Sequence, residues 1–73
     1  MKALITARFD SSELRRLTEN GFEVEQAGFG LIGKKLEPGE LIAKFNDIDV
    51  AIVEFENITE EILTAGKRLK IMA

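Results

Sequence analysis

Apolar positions change their spacing several times along this chain, and each change marks an element. Ala3-Leu4-Ile5-Thr6 is a short, unbroken β-prone run that predicts a first strand. Leu14 and Leu17 then recur three apart among Arg15, Arg16 and Glu19, which predicts a helix with one apolar stripe. Asp10 is placed to cap that helix, with Glu13 completing an Asp version of the capping box. Asn20-Gly21 ends it, because glycine takes the left-handed turn that helix ends commonly need. From Phe22 to Ala27 apolar and polar residues alternate, the period of a strand buried on one face, as at a sheet edge. Pro38 opens a second helix, where its missing N–H is not needed, and Leu41, Ile42 and Phe45 form its inner face. Val50-Ala51-Ile52-Val53 does not alternate, so the strand from Asp49 to Val53 is read as covered on both faces. Thr59 caps a third helix, with Glu60 and Glu61 at its positive end and Ile58, Ile62 and Leu63 facing inward. Gly66 stops it, and Leu69 to Ala73 begins a fourth strand.

Strand and helix therefore alternate as β-α-β-α-β-α-β with short connections. Such alternation predicts an α/β fold: a parallel sheet, right-handed crossovers and helices on both faces. Polarity selects the flavodoxin-like order 2-1-3-4, which puts the alternating strand at an edge and the uniformly apolar one inside. The last strand would leave an apolar edge unpaired, which is an aggregation liability. Residues 1–73 are on that ground expected to be the N-terminal part of an incomplete domain.

Composition narrows the chemistry. The 73 residues include no Cys and no His, so a disulfide framework, a Cys/His zinc site and a His-based nucleophilic triad are all excluded. Ten basic residues against 13 acidic ones give a net charge of −3, which argues against a general nucleic-acid binder. The pairs Arg15-Arg16, Lys34-Lys35 and Lys67-Arg68 read as solvated helix faces or ends. Neither a signal-peptide core nor a membrane-spanning run is visible, and absence of Cys accords with the cytoplasm, the expected location.

In an open α/β sheet, ligands bind beyond the carboxyl ends of the strands, where strand order reverses. In order 2-1-3-4 that crevice lies between the first and third strands. Ala7-Arg8-Phe9 and Glu54-Phe55-Glu56-Asn57 would line it. Arg8 can grip a carboxylate or phosphate bidentately, with Asn57 and the start of the third helix donating to the same group. Equally open is a plain surface ion pair between Arg8 and Glu54 or Glu56.

Gly28-Phe29-Gly30-Leu31-Ile32-Gly33 matches G-x-G-x-x-G, with Glu54 about twenty residues further on, as in a dinucleotide fingerprint. Its context is wrong. The strand before it is half-polar, and Pro38 would break a helix begun at the second glycine. A flexible connection with Phe29, Leu31 and Ile32 tucked against the sheet is the better reading, and a mononucleotide or flavin site the weaker one.

Three blocks carry a likeness to a family: Asp47-Ile48-Asp49-Val50-Ala51-Ile52-Val53, Ile58-Thr59-Glu60-Glu61-Ile62-Leu63 and Leu69-Lys70-Ile71-Met72-Ala73. With Lys2 to Thr6 and Gly39 to Phe45, they resemble the N-terminal segment of the D-isomer-specific 2-hydroxyacid dehydrogenases, nearest the phosphoglycerate dehydrogenase branch. The likeness spans nearly the whole chain and rests on pattern, not on catalytic residues. It implies a flavodoxin-like substrate domain, completed by a separate NAD-binding domain beyond residue 73, with the family's catalytic Arg, Glu and His also coming after residue 73. A small 2-hydroxy or 2-oxo acid as ligand and a homodimeric parent are implied with it. The substrate-side residues it implies here are the loop Glu54, Phe55, Glu56 and Asn57, beside Arg8. Glu54 stands where the phosphoglycerate branch often has Arg, which weighs against a phosphorylated substrate, and the loop is one residue shorter than its commonest form. The alternative is a free-standing flavodoxin-like module that binds a small anion through Arg8 and Asn57.

Overall fold

Strand β1 (Lys2–Ile5) runs through the middle of the sheet in a computed structural model that describes residues 1–73. It pairs in parallel with β2 (Glu23–Gln26) on one edge and β3 (Val50–Ile52) on the other. Strand β4 (Ile71–Met72) pairs with β3, giving a four-stranded parallel sheet in the order β2-β1-β3-β4. This is the flavodoxin-like order that the polarity of the strands predicts. Leu4 lies opposite Glu25 and Ala51, whereas Ala3 and Ile5 lie opposite Val50 and Ile52 on the other face.

Four helical segments connect the strands: α1 (Ser11–Glu19), α2 (Phe29–Ile32), α3 (Pro38–Phe45) and α4 (Glu60–Ala65). Right-handed crossovers put α3 and α4 on one face and α1 on the other. The α3/α4 face carries the core. Leu4 and Ala51 from the sheet meet Leu41 and Phe45 of α3, Ile62 of α4, and Ala27 and Ile48, all buried. The α1 face is lighter, for Leu14 and Leu17 are only half-buried and α1 buries no residue fully.

Caps form where the sequence places them. Asp10 accepts the Glu13 N–H at 3.0 Å and the Ser12 hydroxyl at 2.7 Å, and those bonds, the hydroxyl's first, hold its carboxyl below the ordinary value. Thr59 accepts the Ile62 N–H, and Glu37 donates its N–H to Glu40 across the first turn of α3. Two expectations are corrected. Leu63 points to solvent, because Ile62 takes the inward position and the next residue on a helix is turned by about 100°. The Gly28–Lys35 connection contains a helical turn, ended by Gly33 in the left-handed region at φ 71°. Only Phe29 of its apolar residues is half-buried, while Leu31 and Ile32 are exposed. The Gly30 N–H is bonded to Thr6 O at 2.7 Å, so the turn presents only one side to the sheet.

The amino ends of the strands are tied by charge. Buried Asp49 accepts the Lys2 N–H at 2.8 Å and Arg68 Nη2 at 3.2 Å, while its own N–H donates to Lys2 O. Lys70 donates its N–H to Asp49 O, so one residue joins β1, β3 and the approach to β4. Asp47 accepts Lys2 Nζ and Arg68 Nη1, each at 3.1 Å. Arg68, still largely exposed after the end of α4, also pairs with Asp47 and Asp49 far away in sequence. A further ion pair, Lys44 with Glu25, joins α3 to β2. No helix is long and apolar enough to cross a membrane.

The Lys2 N–H, and after it the Arg68 guanidinium, hold the Asp49 carboxyl below its ordinary value of 3.8 against the cost of burial. A depressed carboxyl favours the fold above the ordinary value, and that contribution is lost as pH falls through the folded value. Urea midpoints should therefore drop on acidification below pH 3.8. Asp49→Asn should be less stable at neutral pH and show a flatter acid limb, and an unchanged limb would contradict the role given to Asp49.

Candidate functional site

Thr6, directly after β1, is fully buried and bonded on every side. Its N–H donates to Ile52 O at 2.9 Å, its carbonyl accepts the Gly30 N–H at 2.7 Å, and its hydroxyl accepts the Glu54 N–H at 3.3 Å. The last two bonds bring the α2 turn and the loop after β3 to the carboxyl end of β1. Between them opens a cavity of about 430 Å³, lined by Arg8, Phe29, Glu54 and Phe55. It sits at the reversal of strand order, between β1 and β3.

Arg8 enters none of the chain's ion pairs. Its Cζ lies 5.7 Å from the centre of the Phe29 ring, a cation–π arrangement that steadies the guanidinium and leaves its N–H fork available. Of the two openings left by the sequence, the ion pair with Glu54 or Glu56 is not formed. Phe29 also meets Phe55, with centroids 4.6 Å apart and planes tilted by 49°. Phe55 adopts φ 70°, costly for a bulky side chain, and the residue is 58% exposed.

The expected lining residues take separate places. Arg8, Glu54 and Phe55 come together as anticipated. Phe9 turns to the α1 side, where it lines a groove with Leu17, Phe22 and Ile52. Glu56 is 8% exposed and folds under the Gly28 turn, where it accepts the Leu36 N–H at 2.6 Å, with Oε1 buried and unpaired. Its place in the site is structural, since it straps the loop after β3 to the segment leading into α3. Asn57 is exposed and does not line the cavity. Helix α4, whose start was expected to face the anion, has six residues and spends the Ile62 N–H on Thr59.

Phe29 is the lining residue that strand order alone does not reveal. Its signal is the flanking pair of glycines. An added Cβ at Gly30 would lie 2.2 Å from Ala7 O, and one at Gly28 would lie 2.8 Å from Glu56 Oε2. The glycines let the turn press against β1 and deliver the ring. They do not form a phosphate cradle, because the N–H groups of Gly30, Leu31, Ile32 and Gly33 already donate to Thr6, Gly28, Gly28 and Phe29 carbonyls. The residues present do not fit a dinucleotide. No group of three or more acidic side chains is assembled that could hold a metal ion. No family model matches the chain, and no curated protein matches its sequence.

Gly30→Ala should lower stability by about 1–3 kcal/mol, the usual cost of overpacking against rigid backbone. Gly39→Ala in the first turn of α3, where a Cβ meets nothing within 4 Å, should be neutral or stabilising by up to about 1 kcal/mol. Urea denaturation of both variants checks the contrast, and equal effects would remove the close approach as the reason for Gly30.

Proposed function

We propose that this chain is the N-terminal part of the substrate domain of a cytoplasmic, NAD-dependent D-2-hydroxyacid dehydrogenase, homodimeric in its parent form. The observation that carries the proposal is Arg8: an unpaired guanidinium at the strand-order reversal, steadied by Phe29 and open to a cavity. Support comes also from the sequence blocks around β3, α4 and β4.

In this role the chain binds and orients. A guanidinium matches a carboxylate bidentately, with charge-assisted bonds about twice as strong as neutral ones. Glu54 is placed to accept a proton-bearing group such as the 2-hydroxyl. Phe29 and Phe55 shield one side of the cavity from water, which strengthens the Arg8 contact. The resemblance assigns the cofactor to a separate domain, and the α2 turn, whose N–H groups from Gly30 to Gly33 are already bonded, does not fit a dinucleotide. The family's acid/base His is likewise assigned outside these residues, which contain no His.

Titration of the ¹⁵N-labelled chain with D-lactate tests the proposal. Backbone signals of Arg8, Phe29, Glu54 and Phe55 should move together, with a dissociation constant on the order of millimolar for a one-sided site. Arg8→Gln should weaken binding by at least about tenfold, the value of one charge-assisted contact. NADH should leave the Gly28–Gly33 signals unmoved. Lactate signals that stay fixed at tens of millimolar, or NADH shifts in that turn, would overturn it.

A further inference from the structure

The crevice holds more than an anion grip. A guanidinium, a first ring and a second ring follow one another, at 5.7 Å from Arg8 to Phe29 and 4.6 Å from Phe29 to Phe55. Phe55 is the odd member. More than half of Phe55 stays exposed despite its contact with Phe29, and φ 70° costs about 1–3 kcal/mol for such a residue. An exposed ring held in a strained backbone beside a cavity is suited to a partner ring, since tilted aromatic pairs add attraction beyond buried area. The charges of the lining cancel: Arg8 brings one positive charge and Glu54 one negative charge. A singly charged carboxylate can use Arg8 and leave its hydroxyl to Glu54. A phosphate near two negative charges would meet Glu54 with like-charge repulsion, and like charges in close contact are costly.

We infer that the crevice selects singly charged 2-hydroxy or 2-oxo acids with an aromatic side chain, stacked on Phe55 and Phe29, and that Glu54 excludes phosphorylated acids. The inference rests on the assignment of this crevice to a 2-hydroxy acid. Phe55 is then the specificity residue and Glu54 the charge filter.

Titration of the ¹⁵N-labelled chain with D-3-phenyllactate, D-lactate and inorganic phosphate separates the possibilities. Phenyllactate should bind at least about tenfold more tightly than lactate. Phe55→Leu should bring phenyllactate affinity down to that of lactate measured on the same variant, and Phe55→Tyr should keep the preference. Phosphate should bind only after Glu54→Gln. Equal affinity for the two hydroxy acids, a preference that survives Phe55→Leu, or phosphate binding to the unaltered chain would overturn the inference and leave the 2-hydroxy-acid assignment standing. Failure of both hydroxy acids to move Arg8 would overturn the two together.

Discussion

Everything at the carboxyl edge of the sheet depends on the hydrogen bonds of one threonine. Thr6 is fully buried, and its N–H, carbonyl and hydroxyl each hold a different segment: Ile52 of β3, Gly30 of the α2 turn and Glu54 of the loop after β3. A buried polar group must be bonded or it costs free energy, so these contacts are obligatory as well as favourable. They bring Phe29 from the β2 side against Arg8, and Phe55 from the β3 side against Phe29. The site is thus positioned mainly by backbone bonds at the end of the central strand, with little apolar packing of its own.

Stability comes from elsewhere in the molecule. Under the sheet, Leu4, Leu41, Phe45, Ile48 and Ile62 close one continuous core. At the amino ends Asp49 joins β1, β3 and the approach to β4 through buried, backbone-directed bonds. Those two anchors lie away from the crevice, which leaves the crevice free to carry unfavourable features. It carries several: φ 70° at Phe55, the exposure of that same residue, and nearby a buried Glu56 oxygen without a partner. Local strain persists where the surrounding fold is secure, and such places are disproportionately functional.

The sheet was legible because each strand's polarity reports how many of its faces are covered. The alternation from Phe22 to Ala27 marks an edge, and the run from Val50 to Val53 marks an interior strand. The caps Asp10 and Thr59 were legible for an equally local reason. Strand order then located the crevice and named Arg8, Glu54 and Phe55. Contacts between distant segments were not legible. Nothing local marks Asp49 as the partner of Lys2 and Arg68, or Glu56 as a strap to Leu36. Phe29 was hidden by its glycines, whose resemblance to a nucleotide loop conceals a packing purpose that appears only when Ala7 O is seen 2.2 Å from a hypothetical Cβ. Leu63 escaped because two neighbouring apolar residues on a short helix give no clue to which one faces inward.

The proposed function turns on Arg8, whose guanidinium enters no ion pair and would be the group a carboxylate takes. The side-chain Nε–H resonance of Arg8, followed while D-lactate is added to the labelled chain, reports on that group alone. Arg8 should shift progressively and exchange more slowly with water, while Arg15, Arg16 and Arg68 stay where they are. Equal shifts at all four arginines, or none at Arg8, would mean that the acid finds only general surface charge, and the crevice would lose its assigned role.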